Sequence, residues 1–179
     1  MDDPLSCWKA LPRRLYLDTG TLQTLFDYGE QIWENEAFVA MERDRSVPNL
    51  ADEVDALRLI MAVNERAGLE FVVTDASIRE VDSRGVQNYA MWVRDVLDTW
   101  LVQSEGEEPA SSGAEQPGSV SSKDWRLLLD ALGYRCDTFL TMERRLFSQA
   151  PVIERKTGVR VLRPTTYRDL LAPWAALYR

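Results

Sequence analysis

The stretch from Lys123 to Phe147 constrains the fold of this chain more than any other. Its first half, up to Gly133, carries apolar residues at the i, i+3, i+4 and i+7 spacing of a helix that faces a core. After a tight link, residues 138–141 form a short β-prone run. A crossover helix runs antiparallel to the strand that it feeds, so it begins near the carboxyl end of that strand. The acids at the two outer ends, Asp124 and Glu143, should therefore lie at one edge of a sheet.

Short β-prone runs alternate with amphipathic helical segments along the rest of the chain. The other three runs predicted as strands are residues 15–17, 71–73 and 159–162. Alternation of this kind is typical of an α/β fold, here a three-layer α/β/α domain with a central, mainly parallel sheet of about four to five strands. We expect Pro151 to end the helix that follows Glu143, and Pro173 to break or kink the last helix.

The 179 residues are enough for one ordinary domain with a core, which we place at residues 14–179 after an N-terminal arm of residues 1–13. Residues 103–122 are rich in Gly, Ser, Pro and Glu, and we expect a flexible insertion there, either disordered or a lid. No apolar run approaches the roughly 20 residues of a membrane-spanning helix. The first residues lack a signal-peptide pattern. With only two cysteines, a reduced, cytoplasmic protein with no membrane partner is expected.

The ionisable residues restrict the chemistry. The chain has no histidine and only two cysteines, so a metal ion would be held by oxygen or by thiolate. With 29 acidic residues, oxygen ligands and a hard cation such as Mg²⁺ or Mn²⁺ are favoured. The net charge of −8 lacks the basic footprint of a nucleic-acid protein. Nearly all basic residues are arginines, however, and a local arginine patch suits phosphate contacts.

Four acids fall at equivalent places in the predicted topology. Asp18 follows the first strand, Glu80 lies on the helix after the second, and Asp124 and Glu143 flank the helix–strand unit described above. Carboxylates gathered in one small site repel each other, and a divalent cation relieves this repulsion. The chemistry that such a cluster supports is metal-assisted hydrolysis of a phosphodiester. The neighbouring cations are candidates for contact with substrate phosphates: Lys123, Arg144 and Arg145.

Each acid also has a structural explanation. Asp18 and Asp124 could cap the helices that follow them, although Ser121 and Ser122 compete for the second cap. Glu80 could belong to a solvated helix pair, and Glu143 could be favoured by the dipole of its helix. The same holds for two further acids: we expect Asp130 at the surface and Asp137 at the start of its strand.

The order and spacing of several stretches resemble those of the PIN-domain nucleases, including toxin nucleases of the VapC type. The run at residues 136–141 is similar to the strand-and-threonine motif of that family, and Asp137 follows Asp124 at the family spacing. The resemblance covers most of residues 14–171. The stretches that carry it are residues 15–19, 74–81, 124–146 and 158–164.

The resemblance implies a metal-dependent endoribonuclease that leaves a 5′-phosphate, with metal-binding acids at Asp18, Glu80, Asp124 and Glu143. Thr141 would orient water or a neighbouring carboxylate. RNA is the implied substrate. The implied protein partner is a cognate antitoxin or a second copy of the chain. Two residues depart from the family pattern: Glu143 stands where aspartate is more frequent, and Gly20 stands where asparagine or serine is frequent. They favour the alternative of a catalytically weak or inactive PIN-like protein-interaction module, and a structure-specific DNA nuclease is a third hypothesis.

Overall fold

Four short strands form one sheet at the centre of the protein. A computed structural model describes residues 11–83, 85–100 and 115–175. All neighbouring strands are parallel, and their order is β2-β1-β3-β4. The predicted α/β fold with a mainly parallel central sheet is confirmed, and the strands lie within one residue of their predicted positions. Their bounds are β1 Arg14–Leu17, β2 Glu70–Val72, β3 Thr138–Leu140 and β4 Arg160–Leu162.

Helices cover both faces of this sheet. Successive side chains of β1 point to opposite faces of the sheet. Leu15 and Leu17 belong to the apolar core on one face, while Tyr16 belongs to the core on the other. The first core is built with α1, α2, α3, α5 and α9, and the second with α6, α7 and α8. The bounds of the helices are α1 Thr19–Asp27, α2 Gly29–Trp33, α3 Leu50–Ala67, α4 Asp75–Ser83, α5 Gln87–Trp100, α6 Ser122–Gly133, α7 Arg144–Phe147, α8 Ala150–Thr157 and α9 Pro164–Ala175, with a 3-10 turn at Glu42–Asp44.

Two prolines lie inside helices, although the sequence predicted that a helix ends at the first and that a helix is broken or kinked at the second. Pro151 does not end a helix; it lies in the first turn of α8, where the missing N–H has no intrahelical partner to lose. The last helix, α9, continues through Pro173 to Ala175. Pro173 therefore lies inside the described helix, where a proline removes one backbone hydrogen bond.

The predicted N-terminal arm and the predicted insertion are only partly described. Residues 1–10 of the predicted arm lie outside the described residues, but Leu11 is buried and the Tyr167 hydroxyl donates to the Pro12 carbonyl at 2.7 Å. Of the predicted insertion, residues 103–114 also lie outside them. Its last part packs on the protein, because Val120 is buried in the second core and Ser122 already begins α6. In the part of the chain that the structure describes, no helix is long and apolar enough to cross a membrane.

A buried ion pair joins α3 to the end of the sheet. Glu53 and Arg163 are only 2% and 8% exposed, and Arg163 Nε lies 2.8 Å from Glu53 Oε1. The same carboxylate accepts from the amide and the hydroxyl of Thr165, both at 3.0 Å, in the first turn of α9. Glu53 therefore satisfies the free N–H end of one helix and the charge of a buried guanidinium at once.

This arrangement predicts that Glu53→Ala destabilises the protein strongly. The substitution leaves the Arg163 charge buried without its partner, which costs about 3–5 kcal/mol of unfolding free energy. Chemical denaturation measures this loss. Glu154→Ala is the matched control: its pair with Arg160 at 3.5 Å is about half exposed, so a change below about 1 kcal/mol is expected. Equal losses in the two variants would contradict the assigned role of the buried pair.

Candidate active site

The candidate site lies where β1 and β3 end side by side. The chain moves from β1 to β2 on one side and later to β3 on the other, so the strand order reverses at β1. Ligands of open α/β sheets bind at the carboxyl ends of the strands at such a point. Asp18 directly follows β1, and its amide donates to the Leu140 carbonyl of β3 at 3.1 Å. Thr141 directly follows β3, so the side chains of Asp18 and Thr141 meet.

All four predicted acids line one cavity of about 100 Å³, which we call the acidic cavity. They come from four different elements: the end of β1, helix α4, the first turn of α6 and the start of α7. The structure therefore brings together residues that lie more than a hundred positions apart. The residues lining the acidic cavity are Asp18, Thr19, Gly20, Glu80, Lys123, Asp124, Leu127, Phe139, Glu143 and Leu146.

Asp18 is the most deeply held of the four acids. It is the N-cap of α1, because its Oδ1 accepts from the Thr21 amide at 2.5 Å, and its Oδ2 accepts from the Thr141 hydroxyl. Burial raises the pKa of Asp18 to about 6, although the hydrogen bonds from Thr141 and Thr21 lower it, and the nearby Glu80 adds to the rise. The capping explanation and the predicted site position thus hold for the same residue.

Glu80 enters the cavity from α4 and is also buried. Its Oε1 accepts from the Thr19 hydroxyl and lies 2.7 Å from the ammonium nitrogen of Lys123. The sequence suggested a solvated helix pair as the alternative explanation of Glu80. Instead its carboxylate points inward, toward residues of α1 and α6.

Asp124 and Glu143 form the outer side of the cavity. Ser121 is the N-cap of α6: its hydroxyl accepts from the Asp124 amide at 3.1 Å and donates to Asp124 Oδ2 at 2.6 Å. Asp124 is therefore a first-turn residue rather than the cap. Loss of solvent raises the pKa of Glu143, the Asp124 carboxylate raises it further, and Arg145 and Lys123 lower it. The two outer carboxylates line the same cavity, where their charges repel each other.

Thr141 connects the inner and outer acids. Its buried hydroxyl donates to Asp18 Oδ2 and accepts from the backbone amide of Glu143 at 2.9 Å. Of the two roles predicted for Thr141, orientation of a neighbouring carboxylate is therefore the one that matches its contacts. Gly20 lies beside the same carboxylate, and a Cβ there would meet Asp18 Oδ1 at 3.5 Å, an ordinary contact distance. A Cβ at position 20 would fit.

The three predicted phosphate contacts differ in position. Lys123 and Arg145 line a second, adjoining cavity of about 240 Å³, the outer cavity, together with Ser121 and the two outer acids. Arg144 turns away, and its guanidinium donates to the Pro48 carbonyl at 2.9 Å. Arg144 therefore does not belong to the group that the structure brings together.

Within the described residues, no three acidic or thiol side chains stand in an arrangement that could hold a metal ion. Asp18, Glu80 and Asp124 each accept from a hydroxyl or ammonium group in this structure. The donor set nevertheless suits a hard cation, since it consists of carboxylate and threonine oxygens. Cys136 plays no part, because it precedes β3 at the opposite edge and burial raises the pKa of its thiol to about 12.

Two other acids have structural roles. The Asp137 carboxylate accepts from the amides of Arg13 and Arg14, both at 2.9 Å, and so holds the starts of β1 and β3 together, as predicted. Asp130 was expected at the surface, but it is half-buried and accepts from the Thr74 hydroxyl at 2.8 Å. Tyr16 hydrogen-bonds to Thr74 and Ser77 at 2.8 and 3.0 Å. This polar chain ties α6 to the start of α4, the two helices that carry Asp124 and Glu80.

Two contacts of the site were missed by sequence reasoning. Thr19 had a usable signal, because a hydroxyl residue directly after a candidate acid lies in the first helical turn beside it. The pairing of Lys123 with Glu80 had none, since it joins two helices that are adjacent only through the sheet topology.

Comparison of the sequence with protein-family models, with curated proteins and with solved structures finds no match to this chain. The fold therefore rests on the structure itself, and the similarity to PIN-domain nucleases stays a prediction.

The pKa of Asp18 predicts how its removal changes stability with pH. Its ordinary value is 3.8, so between about pH 4 and 6 the folded protein holds a proton that the unfolded chain has lost. The contribution of this group to unfolding free energy therefore falls as pH rises through that window. Asn keeps the cap but carries no charge. Without divalent ions, the unfolding free energy of Asp18→Asn relative to that of wild type should rise by about 2 kcal/mol when the pH is raised from about 4 to about 7.5.

Denaturation at the two pH values measures this gain. Asp169→Asn, at an exposed position of α9, is the matched control, and its difference from wild type should change by less than about 0.5 kcal/mol. A difference between Asp18→Asn and wild type that is independent of pH would show that the buried carboxylate ionises without penalty.

Proposed function

We propose that this protein is a metal-dependent endoribonuclease of the PIN-domain type, which hydrolyses phosphodiester bonds of RNA. The observation that supports it best is the convergence of Asp18, Glu80, Asp124 and Glu143 on the acidic cavity at the carboxyl edge of the sheet. Single acids are easily explained as caps or surface charges. Four acids from four elements that share a cavity of about 100 Å³ are not easily explained in this way. Their mutual repulsion destabilises the fold unless a bound cation relieves it.

The four carboxylates are the residues that would hold Mg²⁺ or Mn²⁺. A bound cation of this kind lowers the pKa of water and neutralises charge on a phosphoryl group. The raised pKa values of Asp18 and Glu143 support this assignment, since each is raised in part by another acid of the group. In the proposed site, Thr141 orients Asp18 through its hydroxyl and so keeps one carboxylate oxygen at a fixed position.

Substrate contacts are assigned to the outer cavity. Lys123 and Arg145 line it, and on a chain of net charge −8 two cations beside the acidic cavity provide the local attraction that a phosphate backbone requires. RNA as the substrate, a 5′-phosphate product and a role as a toxin held in check by a cognate antitoxin follow from the resemblance to the family.

The proposal predicts RNA cleavage that depends on both Mn²⁺ and Asp18. Incubation of the purified protein with labelled RNA and Mn²⁺ should give fragments with 5′-phosphate ends, and EDTA should abolish them. Asp18→Asn and Asp124→Asn should each lower the cleavage rate at least about 100-fold, because each removes a carboxylate of the proposed metal site. Asp169→Asn, purified in the same way, should cleave at the wild-type rate.

Equal cleavage by wild type and Asp18→Asn would rule out this assignment of the site. Single-stranded and double-stranded DNA belong in the same assay, because preferential cleavage of DNA would replace the ribonuclease with the structure-specific DNA nuclease.

A second candidate, a PIN-like module that acts through protein contacts, is favoured by a different region. A groove of about 440 Å³ on the α1 side is lined partly by apolar residues, including Phe26, Leu50 and Met142. Two of its apolar side chains are strongly exposed, Val47 at 42% and Val86 at 50%. Exposed apolar surface of this kind is frequent at protein interfaces. Absence of Mn²⁺ binding in calorimetry, with the fold intact, would favour this module over the nuclease.

A further inference from the structure

Lys123 places a positive charge inside the acidic cavity. Its nitrogen lies 2.7 Å from Glu80 Oε1, although its side chain is 58% exposed and Glu80 is only 7% exposed. The lysine stem thus starts at the surface, in the first turn of α6, and its tip reaches a buried carboxylate of the site. Only three lysines occur in the sequence, and the described ones are Lys123 and Lys156.

Lys123 contacts a carboxylate oxygen that would also be needed to hold a divalent cation. Glu80 Oε1 also accepts from the Thr19 hydroxyl, so two donors already converge on it. An ammonium group at this point supplies one positive charge where a divalent ion would supply two. Because a lysine ammonium is compact, flexible and strongly hydrated, and because this stem is exposed, moving it into solvent is easy.

We propose that Lys123 is an internal counter-ion that competes with the divalent cation for Glu80. The inference rests on the proposed function, since it concerns regulation of the same site. While the cation is scarce, Lys123 offsets part of the repulsion among the acids and stabilises the fold. When the cation binds, the ammonium leaves Glu80. Lys123 lines the outer cavity as well, so the displaced ammonium stays beside Arg145, on the side assigned to substrate phosphates.

Competition has a measurable consequence, namely that Lys123 weakens cation binding. Removing its charge should tighten the binding of Mn²⁺, in the absence of RNA, by about two- to fivefold, the upper part of the range for a partly exposed ion pair. Isothermal titration of the full-length protein with MnCl₂ measures this directly. The rise in melting temperature caused by saturating Mn²⁺ should also be larger in Lys123→Met than in wild type, because the metal-free variant lacks this counter-ion.

Two further variants make the test specific. Lys156→Met removes the same charge at a position where the ammonium contacts the Glu115 carbonyl at 2.9 Å, outside both cavities, and its Mn²⁺ affinity should equal that of wild type. Lys123→Arg keeps a cation at the site, so its affinity should stay close to that of wild type. Circular dichroism confirms that each variant is folded.

The outcomes separate this inference from the function on which it rests. Tighter Mn²⁺ binding by Lys123→Met alone supports it. Mn²⁺ binding that is unchanged or weaker in Lys123→Met overturns the competition while leaving the nuclease proposal intact. An equal gain in Lys123→Met and Lys156→Met shows a general charge effect and also overturns it. If neither wild type nor Lys123→Met binds Mn²⁺, the metal site fails, and both proposals fail with it.

Discussion

The parallel pairing of β1 with β3 is the constraint on which the candidate site depends. At its carboxyl end the Asp18 amide donates to the Leu140 carbonyl, and the residue that directly follows β3 is Thr141. This register brings the two side chains together without any help from the loops. The other acids are carried by helices α4, α6 and α7, whose positions follow from the way the chain crosses to the two sides of the central strand.

The acidic cavity holds several carboxylates, and the protein must offset their repulsion and their burial. Burial disfavours the charged forms of Asp18 and Glu143, and a neighbouring acid adds to this effect, as their raised pKa values show. The protein compensates with donors from every side: threonine hydroxyls at Asp18 and Glu80, a serine hydroxyl at Asp124 and the ammonium of Lys123 at Glu80. These contacts stabilise the acids one by one. A single ion of higher charge could replace several of them.

Much of the fold could be predicted from the sequence because its strands and helices carry strong local signals. The apolar run that became β2 and the helix closed by Gly68 required no tertiary information. The four acids could be placed at one edge because a parallel sheet with crossover helices leaves few alternatives for residues directly after a strand. Pro151 was assigned the wrong role because a proline signals a helix boundary without saying on which side the helix lies.

Side-chain partners were the part that local patterns could not supply. Asp130 was expected at the surface since nothing near it in the sequence indicates Thr74, and Arg144 was grouped with Arg145 although adjacent residues on a helix point about 100° apart. The family resemblance is of a different kind, because no comparison with known proteins finds a match. The functional proposal therefore stands on the geometry of the cavity and on the similarity of motif order.

Because the polar chain from Tyr16 through Thr74 to Asp130 helps to set the shape of the cavity, this shape can change while the fold stays intact. The two apolar cores hold the sheet from both faces, whereas the spacing of α4 and α6 at the carboxyl edge also depends on these few hydrogen bonds. Breaking these hydrogen bonds would let Glu80 and Asp124 move apart while both apolar cores stay packed. Integrity of the pocket is thus a property of its own, and a protein whose overall spectrum is native can still have lost it.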